Sequence, residues 1–94
     1  MLDPQSVWVF SGVKGTFPSG VFTDLRIAEE WISRYYLSGV LTKYPVNEGV
    51  FDWAVSAGVF APKTPRQQTP EFIGRFTSAS LEHYHYEKGV RVDA

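Results

Sequence analysis

The stretch Glu82-His83-Tyr84-His85-Tyr86-Glu87-Lys88-Gly89 lies near the carboxyl end of a chain of 94 residues. Side chains alternate between the two faces of a β-strand. A strand here therefore places both histidines on one face and both tyrosines, with Glu82, on the other. We predict a strand over Leu81–Glu87 that ends in a turn at Lys88-Gly89. One core cannot bury both faces, so we expect one face to be exposed or to form an interface.

Three further strands are predicted upstream, each a short run of aromatic and β-branched residues. They cover Val7–Phe10, Phe17–Phe22 and Val40–Tyr44. The first is a continuous apolar run, as in a buried strand. Pro18 has no amide hydrogen to donate, so we expect it at the start or on the edge of its strand. Two outcomes are left open for residues 90–94, which either extend the strand pairing or fray.

The best-defined predicted element is a helix over Asp24–Tyr36, with Thr23 or Asp24 capping its start. Glu30 and Arg34 are spaced to form an ion pair on its polar face, which also carries Glu29. Its apolar residues recur three and four positions apart and form one stripe: Leu25, Ala28, Trp31, Ile32 and Tyr35.

The second half of the chain predicts two shorter helices. One covers Asn47–Ala57, ends at a Gly58 cap, and leaves Trp53 off its apolar stripe. Thr69-Pro70-Glu71 is typical of a helix start and favours a short helix over residues 69–76. A strand with a central glycine is the alternative there. Residues 61–69 contain two prolines and are predicted to form a surface loop.

These elements predict one α+β domain over residues 1–94. Its mostly antiparallel sheet has about four strands, and the helices pack on one face. The order along the chain is strand, strand, helix, strand, helix, short helix, strand. Residues 1–6 are polar and are expected to be loose.

Composition excludes several classes of protein. A formal charge of −1 provides neither the basic surface needed for nucleic acid nor a polybasic patch for an anionic membrane. The absence of cysteine excludes disulfides and thiolate chemistry and favours a reducing compartment. The first residues lack the pattern of a signal peptide, and no apolar run is long enough to span a bilayer. We therefore expect a cytoplasmic protein.

Several segments together form a pattern typical of one family, namely Val7–Gly12, Phe17–Phe22, Ser38–Val46, Gly49–Ala54, and Pro70–Ser80 continuing into Glu82–Tyr86. On these segments the chain resembles a family of small bacterial proteins classed as a domain of unknown function. The resemblance covers roughly residues 7–89. It implies a bacterial origin and a stand-alone single domain, and it carries no activity with it.

A metal or small-ligand site is one interpretation of the two histidines. A His-X-His pair on a strand can chelate zinc, and a carboxylate would complete the shell. Asp52 is the favoured third ligand, since Glu82 projects to the opposite face of the strand, and Glu87 is the other candidate. The competing interpretation is an edge strand whose histidines and tyrosines pack locally.

Acid–base catalysis has few candidates, which are Asp52, Glu71, Glu82 and the two histidines. Neither a nucleophile in a recognisable turn nor a phosphate-binding loop accompanies them. We therefore predict that the protein is not an enzyme and uses no cofactor.

Protein–protein contact is the favoured function, because interface anchors are commonly aromatic or arginine side chains. The partner is expected to be another protein or a second copy that binds through an exposed sheet edge. The alternative is that these aromatic side chains simply form the core of a small domain. The candidate interaction surface comprises His83, Tyr84, His85, Tyr86, Trp53 and Arg75.

Overall fold

Five strands form a single antiparallel sheet in the computed structural model, which describes residues 5–92. The spatial order of the strands is β2-β1-β3-β4-β5. The sheet confirms the α+β class, with one strand more than the four expected. The strands are β1 (Ser6–Gly12), β2 (Gly20–Phe22), β3 (Gly39–Pro45), β4 (His83–Glu87) and β5 (Val90–Val92).

Within residues 5–92 three α-helices accompany the sheet: α1 (Leu25–Arg34), α2 (Val50–Ser56) and α3 (Pro70–Gly74). Helix α3 confirms the short helix predicted after Thr69, whose hydroxyl accepts a hydrogen bond from the Phe72 amide at 3.2 Å. The predicted loop at 61–69 contains one turn of 3₁₀-helix at Pro65–Gln68.

The connection from β2 to β3 determines which face of the sheet is covered. Both strands pair antiparallel with β1, so they run parallel to each other and need a crossover. Helix α1 provides that crossover and lies over the sheet. The core lies between helix and sheet and consists of Trp8, Phe10, Ala28, Ile32, Leu41 and Tyr86.

Local signals fix both ends of α1. The Asp24 carboxylate accepts hydrogen bonds from the Arg26 and Ile27 amides at 2.8 and 3.1 Å, so Asp24 and not Thr23 is the cap. At the other end the Leu37 amide donates to the Ile32 carbonyl at 3.0 Å, which closes the helix two residues before the predicted Tyr36.

Three predictions about the surface of α1 differ from the structure. The ion pair on the helix joins Glu30 to Arg26 at 3.7 Å and does not involve Arg34. Tyr35 is exposed although it belongs to the apolar stripe, because the helix has ended and the stripe no longer faces the sheet. Glu29, placed on the polar face by its spacing, is partly buried.

The β4–β5 connection is a tight hairpin. Lys88 and Gly89 have φ values of 48° and 85°, as a two-residue turn with a right-handed twist requires. A Cβ on Gly89 would also lie only 3.1 Å from the Cα atoms of Ser33 and Tyr36, so this turn packs against the end of α1. Val90–Val92 therefore extends the pairing, whereas the last two residues of the predicted 90–94 segment lie outside the described range.

Strand β2 is shorter than predicted. It begins at Gly20, while Phe17 is 78% exposed and Pro18 precedes the pairing. The predicted loose segment at residues 1–6 falls mostly outside the described range, and its last residue, Ser6, already pairs with Pro45.

The segment between β3 and β4 forms a second apolar cluster. Helix α2 begins at Val50, three residues after the predicted start, and ends at Ser56. Gly58, two residues later, has a φ of 75°, the left-handed conformation that follows a helix end, as predicted for its cap. The rings of the cluster lie 4.9–6.4 Å apart between centroids and belong to Phe51, Phe60, Phe72 and Phe76.

Candidate functional site

The side chains of β4 alternate between the two faces of the sheet, as predicted. His85 is exposed and His83 is half-buried on one face, while Tyr86 is 3% exposed on the other. Tyr84 shares the tyrosine face and is half-buried. The face that carries the tyrosines is the one covered by α1, so the histidine face is the one directed away from the core.

The two histidines lie close together but do not complete a metal site. Their ring centroids are 5.4 Å apart. The Nδ1 of His83 is 2.7 Å from the Leu81 carbonyl, which can only accept, so Nδ1 carries the proton. Across residues 5–92 no three His, Cys, Asp or Glu side chains come close enough to hold a metal ion together. The carboxylate expected from Asp52 or Glu87 therefore does not complete a site.

Tyr86 belongs to a polar cluster beneath α1. Its hydroxyl donates to Glu29 at 2.6 Å, and Arg91 donates to the same carboxylate through Nε at 2.9 Å and through Nη2. Burial, and then the hydrogen bond to Glu29, raise the pKa of Tyr86 above its ordinary value of 10.0. The hydrogen bond to Glu29 likewise raises the pKa of Arg91. This cluster joins β5 to α1.

Tyr84 lies between an indole and a guanidinium. Its ring stacks on Trp8 with centroids 5.7 Å apart, and Arg91 lies over it at 3.9 Å. The hydroxyl donates to Glu82 at 2.5 Å, and this hydrogen bond raises the pKa of Tyr84. Glu82 and both tyrosines thus share a face, as predicted.

The predicted interaction residues do not form one surface. Tyr86 is in the core and must be removed from the set, because its ring fills the space beneath α1. Trp53 lines a cavity of about 320 Å³ beside Lys43 and Glu82. Arg75 lines a different, open cleft of about 710 Å³ with Arg66 and the Phe72 ring.

The acid–base candidates are also dispersed. Asp52 is exposed on α2, and Glu71 lies at the start of α3 beside the larger cleft. The Glu82 carboxylate accepts a hydrogen bond from the Tyr84 hydroxyl and lies 3.9 Å from the Lys43 ammonium. None of these carboxylates lies in a metal-type group with the histidines within the described chain.

The histidines belong to a larger surface that sequence reasoning missed. We call it the open face, the side of the sheet opposite α1. No side chain of the open face is buried. Its residues, identified from the strand register, are Val7, Val9, Ser11, Val21, Val40, Thr42, Tyr44, His83, His85, Glu87, Val90 and Val92.

Valines lie in cross-strand rows on the open face, together with Thr42 and His85. Val9 is paired with Val21 on one side and with Thr42 on the other. Val40 is paired with His85, which is paired in turn with Val92. The side chains of such cross-strand pairs touch, so they form one continuous surface.

The prediction that Val7–Phe10 is buried was therefore only half right. Trp8 and Phe10 are buried, while Val7 and Val9 lie on the open face and remain partly exposed. The signal for this surface was present in the sequence as valines at alternate positions of β1. Reading those residues as one apolar run hid the difference between the two faces.

The edges of the sheet are short. Strands β2 and β5 form the two edges within the described chain, and each spans three residues. A short edge strand offers few free backbone groups for pairing with another strand. The larger accessible surface of the sheet is its open face.

Within the described range no helix combines the length and apolar character required to cross a bilayer. A family model described as a domain of unknown function (DUF7710) matches residues 7–92. This range nearly coincides with the resemblance found in the sequence. No curated protein and no solved structure gives a significant match to the chain.

Proposed function

Because the chain belongs to this family of unknown function, we propose a function from its structure: a non-enzymatic domain that binds a protein partner through its open face. The observation that carries the proposal is that the open face presents six valines and Tyr44, and that none of its side chains is buried in the described chain. The sequence expectations of a cytoplasmic location and a bacterial origin are retained as part of this proposal.

The exposure of valines at the edges of the open face supports the proposed binding function. Val21 and Val90, at opposite edges of the sheet, are 64% and 67% exposed. An antiparallel sheet with one solvated face normally has polar side chains on that face. Contiguous apolar surface of this kind commonly marks an interaction site in a soluble protein.

The position of α1 supports the proposal as well. Helix α1 packs its buried residues Ala28 and Ile32 against the other side of the sheet. A third layer, supplied by a partner, would cover the valines. The buried core behind the sheet fixes the backbone of the open face before binding, so little conformational freedom is lost on association.

Site-specific photo-crosslinking in cells that produce the protein tests the proposal. A photoreactive residue replacing Val90 is expected to give a discrete protein adduct. The same residue at Ile27, which is 51% exposed on the outer surface of α1, should not. Introducing Val21→Lys on the open face should remove the adduct, whereas Glu30→Lys on α1 should retain it.

Equal crosslinking from Val90 and Ile27, or an adduct that survives Val21→Lys, would contradict a role for the open face. Circular dichroism of each variant establishes that the fold is retained before the adducts are compared.

A further inference from the structure

We infer that the partner of the open face is a second copy of this chain, so that two sheets stack face to face as a twofold dimer. The inference rests on the proposed function and specifies its partner. In such a dimer the same surface is used by both copies. It must therefore be compatible with itself in charge, shape and area.

Charge is the first requirement. Within residues 5–92 the open face carries no Lys or Arg, and its one carboxylate, Glu87, lies at the end of β4. A face with several charges of one sign would repel its own copy and would require opposite charge on a partner. Among the described residues the open face instead presents mainly valine, with serine, threonine, tyrosine and histidine, so stacking buries no Lys, Arg or Asp side chain and leaves Glu87 at the end of β4.

Area is the second requirement. Five strands about 4.8 Å apart and about five residues long give roughly 400 Å² of flat surface per copy. With the relief of the side chains, two copies bury about 1,000 Å² in total, near the lower limit of specific interfaces. We therefore expect a dimer with a dissociation constant in the micromolar range.

The geometry favours stacking over the edge pairing expected from the sequence. Each edge strand spans three residues, so edge pairing would form few hydrogen bonds and leave the valines in water. Stacked sheets lie about 10 Å apart with their side chains interleaved.

Sedimentation velocity of the purified protein, from about 0.5 μM to about 500 μM, measures the association, since a micromolar dissociation constant lies within this span. We expect a monomer–dimer equilibrium. Val90→Lys and Val21→Lys, at opposite edges of the open face, should each weaken it at least about tenfold, because each buries a charge at the interface. Ile27→Lys, a matched change on α1, should leave it unchanged.

Small-angle scattering of the dimer distinguishes the arrangements, because a face-to-face dimer is more compact than an edge-paired one. A protein that stays monomeric throughout, a dimer insensitive to both open-face lysines, or assembly into open-ended polymers would overturn the inference. A monomer whose Val90 crosslinks a different protein would overturn the inference alone. A monomer with no adduct at Val90 would reject the proposed function too.

Discussion

At the scale of single residues, the Glu29 carboxylate is the junction between helix and sheet. It accepts hydrogen bonds from Tyr86 and Arg91, which lie 57 and 62 positions away along the chain. A partly buried carboxylate is stable only when its oxygens are satisfied by donors. Both donors lie on paired positions of β4 and β5, so the β4–β5 hairpin must form before the cluster is complete.

The raised pKa of Tyr86 gives a pH prediction. The folded state holds the phenolic proton more tightly than the unfolded state, so the stability it contributes is complete below pH 10.0, the ordinary tyrosine pKa. It is lost as the pH rises above that value. We expect the free energy of unfolding, measured by urea titration from about pH 8 to about pH 11, to decrease less steeply in Tyr86→Phe than in the parent.

Tyr36→Phe is the matched control, since that phenol is exposed and should leave the parent slope unchanged. At neutral pH the Tyr86→Phe variant should lose about 0.5–1.5 kcal/mol for the missing hydrogen bond. If the free energy of unfolding decreases equally steeply with alkaline pH in Tyr86→Phe and in the parent, Tyr86 does not control the pH dependence of stability.

At the scale of elements, α1 is defined by signals within its own sequence. Its start depends on two hydrogen bonds to Asp24, and its apolar stripe places Ala28 and Ile32 against the sheet. Helix α2 lacks a side-chain cap at Gly49 and begins later than its sequence suggested. Side-chain caps satisfy amides that otherwise have no partner inside the helix, so the capped helix has the sharper boundary.

The cap makes a direct prediction. Asp24→Ala removes the acceptor for the Arg26 and Ile27 amides and should destabilise the protein by about 1 kcal/mol. Thr23→Ala, at the neighbouring position that could have capped the helix, should change stability by less than about 0.5 kcal/mol. Chemical denaturation of both variants measures the difference. Equal losses would mean that the two side chains share the cap.

At the scale of the whole molecule, the chain forms two apolar clusters that differ in construction. Its radius of gyration is 14.8 Å, against about 12 Å for a compact domain of this length. The first cluster lies between α1 and the sheet, and the phenylalanine cluster holds α2 and α3 together.

The two clusters should differ in stability. Phe51 contacts the other three rings of its cluster, at 5.5 to 6.4 Å between centroids. Phe51→Ala should cost about 2–3 kcal/mol, less than for a fully buried phenylalanine. Hydrogen exchange should show lost protection in α2 and α3, while β1 and β3 keep theirs.

Phe17→Ala, which removes an exposed ring, is the control and should leave exchange unchanged throughout. If Phe51→Ala lowers protection equally in the sheet, the clusters unfold as one unit and the distinction between them fails.

The sequence by itself determined those features that depend on residues a few positions apart. The alternation of β4, the turn at Lys88-Gly89, the stripe and cap of α1 and the short helix after Thr69 all arise from local backbone and side-chain preferences. The structure confirms the alternation and the turn, and it selects Asp24 over Thr23 as the cap. After Thr69 it selects the helix over the strand, and it leaves Tyr35 of the stripe exposed.

Only the tertiary structure decided which of the two faces of the sheet became the core. The alternation of side chains along a strand assigns Tyr86 and His85 to opposite faces of the sheet. It does not reveal which of these faces α1 will cover. That choice depends on the crossover from β2 to β3 and on contacts between residues more than 50 positions apart, such as Glu29 with Tyr86. Since one helix layer can bury one face, the same packing that placed Tyr86 in the core left the valines of the opposite face exposed.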